Sequence, residues 1–269
     1  MKKTIALIPI SLFLICSALS CKYVMPERNV DYNKGRVPVN LPRDLTSSDK
    51  DSNMEKAEAV IVTVAADGRI YLGADHSPVG ASELAAKIKR SLESQPPEHR
   101  IVYLAADIAT DYGNVLSACD EIRKIDLAHA GLIVNKVGDD WPSRLVVELP
   151  PEPNPNEDLS KLRPNPLTLV VSIHPDLILR LNQDPIGSVN DLSPLSEKLQ
   201  QIFRTRLEQH AYREGYDTRT DVPESERIEK AVTIKAPRQV KYGEVVKVID
   251  AMKGAGSSPI VLQLDDLPD

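Results

Sequence analysis

The sequence predicts an α+β protein built as two tandem small mixed-sheet domains. Each is expected to run strand, hairpin, helix, strand, helix, strand, with two helices packed on one face of its sheet. Three observations carry this expectation. Short apolar runs of strand length alternate with segments whose apolar residues recur every three or four positions. The second half of the chain repeats the first, block by block and in the same order. Hydrophobic residues make up 42% of the chain but aromatic ones only 4%, so the interiors must be aliphatic.

Taken in order, Val37–Pro42 and Leu145–Pro150 are extended apolar runs that each end in Leu-Pro, and each is expected to open its copy as a strand. Val60–Val64 and Ile70–Leu72 flank Asp67-Gly68, a dipeptide suited to a tight turn, and so read as a β-hairpin. Their counterparts, shifted by 109 residues, are Thr168–Ile173 and Leu179–Leu181. A helix follows in each copy. Leu84, Ile88 and Leu92 form a one-sided stripe, matched 111 residues later by Leu195, Leu199 and Phe203. Ser193-Pro194 reads as an N-cap followed by proline at the first helical position.

The closing block is the clearest repeat. Strand Ile101–Leu104 precedes a helix entered at Asp111-Tyr112-Gly113-Asn114-Val115, and strand Gly131–Val134 follows it. At a shift of 130 the same pattern gives Val232–Ile234, Lys241-Tyr242-Gly243-Glu244-Val245 and Pro259–Leu262. Val115, Leu116, Ala118, Cys119 and Ile122 map to Val245, Val246, Val248, Ile249 and Met252, and Asp120 maps to Asp250. The shifts differ through indels in polar segments, the largest between Glu208 and Glu229. A strand–helix–strand order calls for parallel pairing.

The N-terminus carries a targeting pattern. Lys2 and Lys3 precede an apolar stretch, Ile5–Leu14, that is short for a span of about 20 residues. It ends in Ala18-Leu19-Ser20-Cys21, the pattern of a bacterial lipoprotein signal cut before an acylated Cys21. The competing reading is an uncleaved anchor helix. The expected division is thus residues 1–20 signal peptide, 21–36 tether, 37–138 first domain and 139–269 second domain. Cys119, the one cysteine left in the mature chain, is expected as a buried thiol.

Sites of chemistry are scarce. His76, His99, His129, His174 and His210 are dispersed, so no metal site is expected. Gly-x-Ser-x-Gly and a glycine-rich phosphate loop are absent, and neither catalysis nor a cofactor is expected. The net charge of −6 argues against nucleic acid. Asp139-Asp140 and Asp265-Asp266 read as solvated charge. Tyr112-Gly113 and Tyr242-Gly243 recur, with glycine expected to supply an unusual backbone angle and tyrosine to pack beside it. An anion held at these helix starts is the alternative. Asp120 and Asp250 are expected to cap, to pair with Arg123, Lys124 or Lys247, or to face a partner. Asp120, Asp250, Tyr112 and Tyr242 are therefore the candidate partner-contact residues.

Val39-Asn-Leu-Pro42, the run Val62-Thr-Val-x-x-Asp-Gly-Arg-Ile-Tyr-Leu72 and Tyr112-Gly-x-Val115 resemble the periplasmic domain of ExbD/TolR biopolymer-transport proteins. The resemblance covers residues 37–138 and, more faintly, 145–264. It implies an α+β periplasmic module that pairs, works beside an ExbB/TolQ-type proton channel and contacts TonB-like envelope proteins or cell wall. The family's intramembrane aspartate has no counterpart, because no acidic residue lies between Lys3 and Lys22. The expectation is a lipid-anchored, periplasm-facing, non-enzymatic adaptor of envelope transport or maintenance, its two copies forming an intramolecular pseudo-dimer. The alternatives are a true transmembrane transporter subunit and a peptidoglycan- or ligand-binding module.

Overall fold

Alternation sets the architecture. Val60, Val62 and Val64 of β1 (Val60–Val64) turn one way into the main core, while Ile61 turns the other way. The computed structural model describes residues 35–50, 59–93, 95, 100–125, 127, 129–138, 142–149 and 165–264. The expected signal peptide, Cys21, most of the tether, Asp139-Asp140 and Asp265-Asp266 lie outside them. After β1 come β2 (Ile70–Leu72), α1 (Ala81–Glu93), β3 (Val102–Ala106), α2 (Tyr112–Arg123), β4 (His129–Asn135) and β5 (Pro142–Glu148). The second half contributes β6 (Val170–Ile173), β7 (Ile178–Leu181), β8 (Asp184–Ser188), α3 (Ser193–Glu208), the short α4 (Glu224–Arg227), β9 (Val232–Ala236), α5 (Tyr242–Gly254) and β10 (Ile260–Leu264).

The expected pair of small sheets is one sheet. Its ten strands run β2-β1-β3-β4-β5-β10-β9-β6-β7-β8. Within each half the pairing is the same: β1 lies parallel to β3 and β3 to β4, as β6 does to β9 and β9 to β10. The hairpins β1–β2 and β6–β7 flank these sets, Gly68 turning the first with φ +82. β5 is antiparallel to β4 and parallel to β10, so the two parallel sets run in opposite directions. An approximate twofold axis normal to the sheet therefore relates the halves.

All the long helices bury their stripes on the same face of this sheet. Leu84, Ile88 and Leu92 of α1 and Leu195, Leu199 and Phe203 of α3 share one continuous core with residues of β1, β3, β4, β5, β6, β7, β9 and β10. At ~25 cal/mol per Å² of apolar surface, a core spanning both halves is the largest stabilising contribution. Asp191 Oδ1 accepts from the Ser193 N–H at 3.2 Å, so Asp191 opens α3 where Ser193 was expected to. Buried Arg206 closes the far end, donating to the Glu229 carbonyl at 2.8 Å and to the Leu167 carbonyl. It thereby anchors the polar insertion, which folds as turns around α4.

The run Val37–Pro42 departs from expectation. It is a strap and forms no strand of the sheet, because Pro38 and Pro42 lack the N–H groups a ladder needs. Val39 and Leu41 instead cover Ile61, Tyr103, Ala105 and Ile133 on the reverse face. Of its sequence counterpart, Leu145–Pro150, the residues Leu145 to Glu148 lie in β5.

A single sheet over a single core should unfold as a single unit. Ile88→Ala in the first half is expected to cost about 2–5 kcal/mol. Urea unfolding followed by circular dichroism should show one transition moved to lower denaturant, with no plateau from a surviving second half.

Candidate functional site

The two helix starts singled out in the sequence meet at the twofold axis. α2 and α5 each begin at the Tyr of a Tyr-Gly pair, and neither has a side-chain cap: Asp111 and Lys241 hold the N-cap positions with extended backbone and no capping hydrogen bond. The first N–H groups of a helix have no partner within it. Here the opposite half supplies the acceptors. Tyr112 N–H donates to Val240 O at 2.8 Å and Gly113 N–H to Arg238 O at 3.0 Å. Reciprocally, Tyr242 N–H donates to Thr110 O at 2.9 Å and Gly243 N–H to Ile108 O at 3.1 Å. Each loop thus caps the other half's helix, and its carbonyls offset the positive end of that helix.

This geometry explains the glycines. Neither has a positive φ, contrary to the expectation of an unusual backbone angle. The reason is close approach: a Cβ on Gly113 would sit 3.0 Å from Arg238 Cβ, and one on Gly243 would sit 3.0 Å from Ile108 Cβ. The anion alternative does not apply to these N–H groups, since loop carbonyls occupy them. At the axis Asp111 bridges Lys241, its own counterpart, with Lys241 Nζ 2.7 Å from Asp111 Oδ1. Tyr112 and Tyr242 are 0% exposed beneath this contact. The Tyr112 hydroxyl donates weakly to Gln263 O at 3.4 Å, while that of Tyr242 has no partner among the described residues. Burial raises both phenols and pushes the Cys119 thiol up to about 12, so Cys119 is an inert core thiol.

A family model described as Biopolymer transport protein ExbD/TolR matches residues 29–136 and again residues 141–267. The chain belongs to the ExbD/TolR family. That family is envelope-associated, is linked to biopolymer transport and generally works with ExbB/TolQ-type partners. No curated protein matches the chain. Among the described residues, no helix is long and apolar enough to cross a membrane, and no group of metal-ligating side chains occurs.

The two ExbD/TolR matches place their equivalent aspartates in different settings. Asp120 is open to solvent, with its side chain 52% exposed, and pairs with Arg123 at 3.2 Å. Asp250 is 8% exposed and is taken up by the strap. It accepts from Ser47 N–H at 2.7 Å, from Thr46 N–H at 3.0 Å and from Thr46 Oγ1 at 3.0 Å. Further ties follow along the same segment. Asp49 pairs with Arg144 of β5 through two backbone bonds of 2.9 and 2.8 Å, and Lys253 of α5 meets the Asp49 carboxylate. At its other end Asn40 donates to Asp107 at 2.9 Å and accepts from Ile108 N–H at 2.9 Å. The strap is therefore fastened to both halves.

Of the four candidate contact residues, then, Asp120 alone faces outward. Tyr112 and Tyr242 form the joint, and Asp250 holds the strap. Sequence reading missed Thr46, Ser47 and Asp107, whose signal is a local cluster of side chains with no repeat partner. The aspartates should separate cleanly on substitution. Asp250→Ala is expected to cost about 1–3 kcal/mol, since it removes a buried carboxylate that accepts three hydrogen bonds from the strap, and to speed hydrogen exchange at Thr46 and Ser47. Asp120→Ala should stay within about 0.5 kcal/mol of wild type and leave those amides protected.

Proposed function

We propose that the chain is a membrane-tethered, non-enzymatic adaptor for biopolymer transport or maintenance in the cell envelope, held by lipid on Cys21 and facing the periplasm. The observation that carries this reading is that the ExbD/TolR match runs twice along the chain, while the apolar segment between Lys3 and Lys22 lacks any acidic residue. A proton-coupled subunit needs a carboxylate inside the membrane, and the segment between Lys3 and Lys22 offers none. Two matched units in one chain act as an intramolecular pseudo-dimer, which lets a single anchor serve a paired module. Multiple acyl chains at ~0.8 kcal/mol per buried methylene hold such a module at the membrane with no further domain.

The fold supports this reading through the strap. Residues 37–50 follow the tether directly and are hydrogen-bonded to loops, strands and a helix of both halves. A load on the anchor would reach the paired module as a whole. The envelope partner is a protein of the ExbB/TolQ or TonB-like type, or cell wall.

Mass spectrometry of the mature N-terminus in the native host tests the anchor. The expected species begins at Cys21 and carries acyl mass. A chain that retains Met1 and the whole apolar segment would overturn the lipoprotein reading in favour of a transmembrane subunit.

A further inference from the structure

The reverse face of the sheet is used differently by the two halves. On the first half Ile61, Tyr103, Ala105 and Ile133 form an apolar patch under Val39 and Leu41 of the strap. Strand register places Val170, Thr233, Lys235 and Gln263 at the matching positions of the second half. Among the described residues no segment covers these, and all four are half-buried or exposed. Asp107, which anchors Asn40 of the strap, corresponds to Pro237, so this half has no carboxylate to receive a second strap of the same kind.

In its place stands a row of uncommitted polar groups. Arg180 of β7 pairs in register with Ser172 of β6, Ser172 with Lys235 of β9, and Lys235 with Gln263 of β10. Within the described residues neither the Arg180 nor the Lys235 side chain has a hydrogen bond or ion pair. Glu148 of β5, in register with Val261 one row over, already has a partner of its own. The following row carries Val170, Thr233 and Val261, which offer apolar contact beside the charges.

We propose that this face of the second half docks an extended acidic peptide segment of a partner protein, laid across the strands as the strap lies across the first half. Charge selects the ligand, because two cations with no counter-charge invite carboxylates. Spacing selects the sequence. Strands lie ~4.8 Å apart, so Arg180 and Lys235, two strands apart, stand about 10 Å from each other. That distance is about three residues of chain in the polyproline II form at ~3.1 Å each, which brings every third side chain back to the same face, so acidic residues at i and i+3 reach both cations. The strap shows how the fold seats such a segment: two apolar side chains face the sheet, and the backbone is fixed by polar groups at the strand ends.

This proposal rests on reading the chain as a protein-binding adaptor, and its test measures binding directly, independent of the lipid anchor. Fluorescence anisotropy would use the full chain in detergent and a labelled peptide repeating Glu-Val-Thr, with a Lys-Val-Thr peptide as comparison. Saturable, salt-sensitive binding of the acidic peptide alone is expected. Arg180→Glu combined with Lys235→Glu should weaken it about tenfold or more. Lys198→Glu, on the exposed side of α3, should leave it unchanged. No binding, equal binding of the basic peptide, an unaffected double variant, or binding only to phosphatidylglycerol vesicles would each overturn the assignment.

Discussion

The reciprocal capping of α2 and α5 is the contact on which the rest of the structure depends. Two helices begin at the same place, and neither carries a side chain that satisfies its first N–H groups. Separated, each half would lose the acceptors of two helix-start N–H groups, four hydrogen bonds in all. Together the loops Ile108–Thr110 and Arg238–Val240 close both helices at once. The Tyr-Gly pairs follow from this: glycine lets the loop approach, and tyrosine fills the space below it. β5 then completes the sheet between the halves, and the core runs through without a break.

On this twofold frame the chain is asymmetric wherever its surface faces solvent. One strap serves one half, and the residues beneath it are apolar only there: Tyr103 and Ala105 in the first half correspond to Thr233 and Lys235 in the second. Asp250 receives the strap because α5 lies where the strap emerges; Asp120, its equivalent, pairs with Arg123 of its own helix. A chain with one N-terminus fastens itself once, and the face that the strap does not cover is the polar one. The outer strands are kept from further pairing by local irregularity. β8 contains Pro185 and Gly187 and faces a register shift in β7, and at β2 the Ile70 carbonyl is occupied by Val79 N–H.

Much of this was legible in the residues because it is written in side-chain periodicity. The stripes Leu84-Ile88-Leu92 and Leu195-Leu199-Phe203, the Asp67-Gly68 turn and the family resemblance required nothing beyond spacing and residue type. What escaped is carried by backbone. The joint is made of N–H and carbonyl groups, which have no letter of their own, so Tyr112-Gly113 and Tyr242-Gly243 were noticed as repeats while their reason, close approach, was not. Val37–Pro42 resembled its counterpart Leu145–Pro150 in pattern, yet its two prolines directed it across the sheet. Asp120 and Asp250 share a letter and a helix position but not an environment, and only the path of residues 43–50 distinguishes them.

Native-state hydrogen exchange at the Tyr112, Gly113, Tyr242 and Gly243 amides tests the joint most directly. Four slow amides whose opening free energies coincide, and fall together when Gly243→Val crowds Ile108, would show that the halves are held as one. If one Tyr-Gly pair exchanged at the rate of an open helix end while the other stayed protected, the halves would not depend on each other and the account would fail.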